Sequence, residues 1–170
     1  VFVISLLSQF VYQPVISKMA LLWHEKKISQ FNKLILRQIA LILLLSVAAI
    51  IGGYLLGIPV LSLIYGVDLT DYKKSLVILL IGGGALAIVN FLQMIITVAR
   101  KQKLLNIGYL LAFLLFVFGG KTITEKHGMI GISVFYTAVV MILGAVFIVL
   151  TIGIIKGYAN SDGKTVAEKK

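Results

Sequence analysis

Apolar residues run through this chain in long stretches that charged residues interrupt at a few points. In the clearest stretch, from Ser75 to Ala99, nearly all of the 25 residues are apolar, and Arg100, Lys101 and Lys103 follow directly. A helix of that length rises about 37 Å, more than the ~30 Å hydrocarbon layer of a bilayer. Its aliphatic side chains outweigh the cost of inserting two amides. The pattern predicts a membrane-spanning helix.

Four other apolar stretches cover residues 1–15, 38–56, 104–120 and 128–155. None alternates with the period of two that a half-buried strand requires, and four of the five stretches are long enough to span as helices. We therefore expect an all-α, polytopic transmembrane bundle with four full spans and one truncated span, covering residues 1–157. The polar residues 158–170 have no apolar period and predict a disordered cytoplasmic tail. The short first stretch predicts that the chain is a piece cut from something longer.

Two connecting segments carry signals of their own. In residues 18–37, apolar side chains recur at roughly helical spacing between basic ones, which predicts an amphipathic helix in the headgroup region; a solvated charged loop is the alternative. In Gly57–Tyr72, Pro59 is expected to break the helix, so that the second span ends near Gly57. A short apolar turn or helix would then lie at the outer surface.

Charge sets the expected topology. The chain is 60% hydrophobic with a net charge of +10, and alternate gaps between the apolar stretches hold twelve basic residues against four. Because short cytoplasmic loops collect Lys and Arg, the first stretch should run inward and the C-terminus should be cytoplasmic. The basic residues fall in gaps and not on a soluble face, so membrane lipids are the expected partners and nucleic acid is not. The expected headgroup and topology contacts are Lys18, Lys26, Lys27, Arg100, Lys101 and Lys103.

Candidate chemistry is sparse. The chain has no cysteine, which removes thiolate and Cys-based metal sites, and no acid or base lies at the centre of a stretch. We expect no enzyme, no catalytic residue, no metal and no cofactor. Uncharged polar stripes remain, and most should form hydrogen bonds between helices. The amides of Gln9, Gln13, Asn90 and Gln93 are the candidates for contact with sugar hydroxyls in a substrate cavity. The run Gly82-Gly83-Gly84, inside a span, indicates close helix packing or a flexible point.

Four ordered motifs span nearly the whole chain: Tyr12-Gln13-Pro14-Val15-Ile16-Ser17-Lys18, the segment Gly57–Gly66 followed by Asp68 and Tyr72, Ala99-Arg100-Lys101-Gln102-Lys103, and His127-Gly128-Met129-Ile130-Gly131. In this order and spacing the chain resembles the C-terminal half of a polysaccharide or lipid-linked oligosaccharide flippase of the multidrug/oligosaccharidyl-lipid/polysaccharide exporter superfamily. The resemblance implies two facing helical bundles, with these segments the last five of about twelve and the missing N-terminal half as a partner.

The same resemblance implies a location in the bacterial cytoplasmic membrane and a function, namely moving an undecaprenyl-diphosphate-linked glycan to the outer leaflet by alternating access. The coupling ion stays open between H⁺ and Na⁺. Rim residues such as Lys18 and Arg100 could meet the diphosphate, although plain positive-inside anchoring explains them as well. The alternatives are a non-transporting membrane scaffold subunit and a multidrug-type exporter of the same superfamily.

Overall fold

The long apolar stretches form helices. The computed structural model describes residues 15–167, and the side chains of residues 15–157. The short helix α1 covers residues 15–24 and is followed by α2 (Ile28–Tyr65), a single 3₁₀ turn (Thr70–Tyr72), α3 (Lys73–Val98) and α4 (Lys103–Ala167). No strand occurs within the described range, and α2, α3 and α4 are each long and apolar enough to cross a membrane. The expectation of an all-helical protein is confirmed for the described residues, and three of the helices have the length and apolar composition that a membrane span requires.

Helix α2 differs from the elements expected in its region. The amphipathic segment 18–37 is not one separate helix, because α1 ends in a turn at residues 25–27 and the rest of the segment is the first part of α2. Nor does the helix end near Gly57. It continues past Pro59 to Tyr65 and ends at Gly66, whose left-handed backbone (φ 67°) lets its N–H bond to the Ser62 carbonyl. Proline removes one backbone hydrogen bond, and long apolar helices absorb that loss.

Helix α4 is two helical limbs joined at Gly128. Its backbone there (φ 58°, ψ −144°) is far from helical, and it separates a first limb, residues 103–127, from a second limb, residues 129–167. The limbs pack antiparallel, because the Phe116 and Phe135 rings meet edge-on at 5.4 Å and Tyr109 meets Phe147 at 5.6 Å. The polar segment 121–127, which connects the apolar stretches 104–120 and 128–155, is not a loop but forms the last turns of the first limb. At its C-terminal end α4 stays helical to Ala167, whereas the sequence predicts a disordered tail that begins at residue 158.

Helix α3 lies at the centre of the bundle. Along α2 the contacts run antiparallel, with Gly84 against Ser46 and Gly57 against Leu76. Along the second limb of α4 they run parallel, with Gly82 against Thr137 and Gly144 against Val89. The fully buried side chains lie mainly on α3 and include Phe91, Ile95 and Ile96, whereas the outer faces of α2 and α4 expose large aliphatic and aromatic residues. An apolar exterior around a packed interior is the distribution expected of helices in lipid.

Successive helices therefore alternate in direction, and their connections collect at two ends. The turn at residues 25–27, the turn at residues 99–102 and Lys156 share one end, which we call the basic end; Trp23, Arg100 and Gly157 border one groove there. The loop after Tyr65 and the turn at Gly128 share the opposite end, where Leu69 and Tyr72 border a pocket with Met129.

Candidate functional site

Only part of the predicted substrate set lies within the described residues. Gln9 and Gln13 lie outside them. Asn90 and Gln93 lie half-buried on α3. The Tyr109 hydroxyl donates a 2.6 Å hydrogen bond to Gln93 Oε1, and Thr97 Oγ1 donates to the Gln93 carbonyl at 2.9 Å. The acceptor oxygen of Gln93 thus joins α3 to the first limb of α4.

A second polar contact joins α3 to the second limb. Thr137 Oγ1 lies 3.0 Å from the carbonyl oxygen of Ile78 on α3 and 3.0 Å from that of Ser133 in its own helix. The contact is close because Gly82 faces Thr137, and a Cβ added at Gly82 would lie 2.8 Å from the threonine hydroxyl. The close packing expected of the glycine run is present, with all three glycines buried.

Sequence reasoning did not select the most deeply buried amide. Gln38 is 7% exposed, on a buried face of α2 that also contains Phe31, Ile35, Ile42 and Ser46. Gln38 Oε1 and Ser46 Oγ are buried and have no hydrogen-bond partner. Leaving a buried acceptor unpaired costs about 1–3 kcal/mol, so each position is a candidate for contact with a donor such as a hydroxyl or water. The signal was in the sequence, because Gln38 and Ser46 continue the three-and-four spacing of Phe31 and Ile35.

Further polar groups are buried without partners elsewhere in the interior. Ser75 near the start of α3 and Thr151 in the second limb of α4 each have a buried hydroxyl oxygen with no hydrogen-bond partner. Ser75 borders an apolar pocket of about 380 Å³ at the opposite end, lined otherwise by aliphatic residues, Tyr72 and Met129. Unpaired hydroxyls therefore lie along the bundle and not at one point, so they do not by themselves define a site.

A groove of about 1180 Å³ lies at the basic end. Its cations are Arg100, Lys101 and Lys103, all exposed, and Trp23 forms part of its wall. The turn after α3 also contributes Ala99 and Gln102, and the rest of the lining is apolar or glycine and comes from α4: Leu104, Val149, Leu150, Gly153, Ile154 and Gly157. We call this feature the basic groove. It places three positive charges beside an apolar wall.

The other expected headgroup contacts are also exposed at this end. Lys18 borders a smaller groove of about 210 Å³ with Lys33 and Arg37, between α1 and α2. Lys27 forms a 2.8 Å ion pair with Glu25, and Lys26 occupies the same turn. Among residues with described side chains, Glu25 is the acid of the basic end, so this end keeps a large positive excess.

The turns at the two ends use different residues with a positive φ. At the opposite end these residues are Gly66 and Gly128, whereas at the basic end they are Lys26 (φ 59°) and Arg100 (φ 57°). A residue with a side chain costs about 1–2 kcal/mol in this conformation, which glycine adopts freely. The basic-end turns therefore carry long cationic side chains at positions where glycine would be less strained.

The opposite end is close to neutral. In the loop after α2, Thr70 donates its hydroxyl and its backbone N–H to the Asp68 carboxylate, and these bonds lower the pKa of Asp68. Lys73 Nζ lies 4.0 Å from the centre of the Tyr54 ring. Within the described part of the chain, no group of three or more His, Cys, Asp or Glu side chains could hold a metal ion.

Comparisons with known proteins do not assign the chain to a family. No family model matches the chain, and neither the curated proteins nor the solved structures yield a significant match.

Proposed function

We propose that this chain is part of a membrane exporter that moves an undecaprenyl-diphosphate-linked oligosaccharide across the bacterial cytoplasmic membrane by alternating access. The observation that carries the proposal is the sorting of connections between the two ends of the bundle. The turns at residues 25–27 and 99–102 share the basic end, and the loop at Asp68 shares the opposite end with Gly128. The charge pattern predicts this topology, with the basic end in the cytoplasm.

The motifs behind the family resemblance support the proposal through their positions. Three of them coincide with boundaries of helices: Gly57–Gly66 ends α2, Ala99–Lys103 forms the turn from α3 to α4, and His127–Gly131 contains the break at Gly128. In the proposed arrangement α2, α3 and the two limbs of α4 each cross the membrane, and the predicted truncated span 1–15, which lies almost entirely outside the described residues, would be the fifth crossing. These five crossings would form most of one of two facing bundles.

Transport of a glycan needs polar groups that a hydroxyl can reach in at least one state of the cycle. Gln38 and Asn90 are our candidates in the described part of the chain. Gln38 is the better test, because its oxygen is buried without a partner and leucine has nearly the same volume. Gln38→Leu should leave folding intact, so a loss of export would report on function.

The experiment measures surface glycan in cells that carry Gln38→Leu or Asn90→Leu in the complete exporter. Gln30→Leu is the matched control, because Gln30 lies exposed near the start of the same helix. We expect normal protein abundance in all three variants and reduced export in the first two. Normal export in both would contradict the cavity role.

A second candidate, a non-transporting scaffold subunit, has specific support. The hydrogen bonds from Tyr109 to Gln93 and from Thr137 to the Ile78 carbonyl use interior polar groups for contact between helices. In a scaffold, substitutions at these positions would lower stability and leave glycan export unchanged. The same export assay therefore separates the two functions.

A further inference from the structure

We propose that the basic groove binds an anionic phospholipid from the leaflet at that end of the bundle. The phosphate would contact Arg100, Lys101 and Lys103, and an acyl chain would lie along the apolar wall of α4. This site is independent of the transport proposal, because it concerns a lipid held at the rim of the bundle.

The charge of the groove identifies the headgroup. Its lining contains three cations and no acid. The ion pairs of Lys27 with Glu25 and of Lys121 with Glu125 both lie outside the groove. Phosphate is the anion that a bilayer presents at this depth, and clustered Lys and Arg next to membrane helices bind anionic lipids.

The wall of the groove identifies the rest of the ligand. Val149, Leu150 and Ile154 lie on the second limb of α4 and continue the apolar surface of that helix. Gly153 and Gly157 open the space further, since a Cβ added at either would meet no atom within 4 Å. A free phosphate ion would leave this wall unused, whereas a lipid uses charge and wall together. Trp23 completes the arrangement, because tryptophan favours the boundary between headgroups and acyl chains.

Arg100 also occupies a turn that fixes its position. Three hydrogen bonds close the end of α3, from the backbone N–H groups of Ala99, Arg100 and Lys101 to carbonyls of the last helical turn. The backbone that presents Arg100 and Lys101 is therefore held before any lipid arrives.

Trp23 makes the test specific, because it is the one tryptophan of the sequence and it lines the groove. The full 170-residue chain is reconstituted in phosphatidylcholine vesicles that contain increasing fractions of either brominated phosphatidylglycerol or brominated phosphatidylcholine. Bromine quenches tryptophan fluorescence on contact, so the two titrations give the relative affinity of the groove for the two lipids. We expect phosphatidylglycerol to be favoured about fivefold or more, and equal quenching would overturn the proposal.

The charge contribution is tested with two triple variants. Replacing Arg100, Lys101 and Lys103 by Gln removes the cations of the groove, and the preference for phosphatidylglycerol should fall to about one. The matched control, Lys74→Gln with Lys121→Gln and Lys126→Gln, removes three charges at the opposite end and should keep the preference. An equal loss in both variants would reveal general attraction to the surface and overturn the site, as would an unchanged preference in the groove variant. The wild-type titrations decide the proposal even if the groove variant does not fold.

Two further measurements distinguish a lipid from a free anion and test the wall. Inorganic phosphate added at millimolar concentration should not relieve the quenching by brominated phosphatidylglycerol; full relief would identify a phosphate site and overturn the lipid. Gly153→Phe fills the groove without touching its charges and should reduce quenching by both lipids. Unchanged quenching in this variant would overturn the proposed position of the acyl chain.

Discussion

Gly82→Ala tests the closest contact between α3 and the second limb of α4. A methyl group added there would lie 2.8 Å from Thr137 Oγ1 and 3.0 Å from Tyr136 Cε1. The hydroxyl cannot withdraw at no cost, because its one O–H is shared between the carbonyl oxygens of Ile78 and Ser133, which each lie 3.0 Å away. The two helices must therefore separate, or the interhelical hydrogen bond must break.

Two opposing contributions determine how much Gly82→Ala changes the free energy of unfolding. Overpacking a well-packed interior costs about 1–3 kcal/mol. Replacing glycine by alanine within a helix returns up to about 1 kcal/mol through backbone propensity. Gly52→Ala is the matched control, because Gly52 lies inside α2 and a Cβ there meets nothing within 4 Å. Since both variants share the propensity term, the difference between them isolates overpacking at about 1–3 kcal/mol.

The assay is reversible unfolding in mixed micelles by titration with sodium dodecyl sulfate, followed by circular dichroism. We expect the free energy of unfolding of Gly82→Ala to be about 1–3 kcal/mol lower than that of Gly52→Ala. Adding Thr137→Ala should recover part of the loss, since it removes the nearest clashing atom, and the two changes should be non-additive by at least about 0.5 kcal/mol. If Gly82→Ala equals Gly52→Ala within about 0.5 kcal/mol, the close contact described for these helices is wrong.

Three further predictions concern the turns and one interior hydrogen bond. Gly128→Ala should destabilise the chain by about 1–3 kcal/mol in the same assay, because alanine is strained at the positive φ of this position. A Cβ at Gly128 meets no atom within 4 Å, so backbone strain is the only cost. The control is Gly120→Ala, which also places its Cβ in open space but lies in helical backbone, and it should not destabilise the chain. Tyr109→Phe should cost about 0.6 kcal/mol, the average for hydrogen bonds between membrane helices, and no loss would show that the bond is weak in the membrane. In this chain without cysteine, Thr70→Cys and Gln102→Cys should react with impermeant thiol reagents from opposite faces of the membrane, and labelling from one shared face would refute the alternation of helices.

The sequence predicted that the apolar stretches are helices, but it did not predict the residues at which these helices end. The apolar stretches are helical because a helix satisfies its backbone hydrogen bonds within one segment, and they lack the period-two alternation of strands. Pro59 illustrates the limit. Its missing N–H removes one backbone hydrogen bond, but the helix continues to Tyr65 and ends at Gly66. The segment 121–127 illustrates the converse, because an ion pair between Lys121 and Glu125 at 4.0 Å accompanies a helix where polarity indicated a loop.

The exposed Lys and Arg residues of the candidate site could be predicted from the sequence, but the contacts of its buried polar side chains could not. The exposed cations follow from counting Lys and Arg between apolar stretches, and they lie together at one end. Gln93 was selected for its amide, and tertiary packing against Tyr109 turned that amide into a contact between helices. Gln38 stands at the start of an apolar stretch and is not among the predicted amides, although its spacing from Phe31 and Ile35 places it on the buried face of α2.

The length of α2 has a mechanical consequence. Its 38 residues rise about 57 Å, nearly twice the thickness of a ~30 Å hydrocarbon layer. Even if the part up to Arg37 lies among headgroups, about 42 Å remains, which fits only if the axis leans by about 45° or the last turns emerge above the surface. Helix α3 packs along α2 through Gly57 and Leu76 and must share that inclination. Hydrophobic mismatch therefore acts on the pair together, and a thicker bilayer should draw both helices upright.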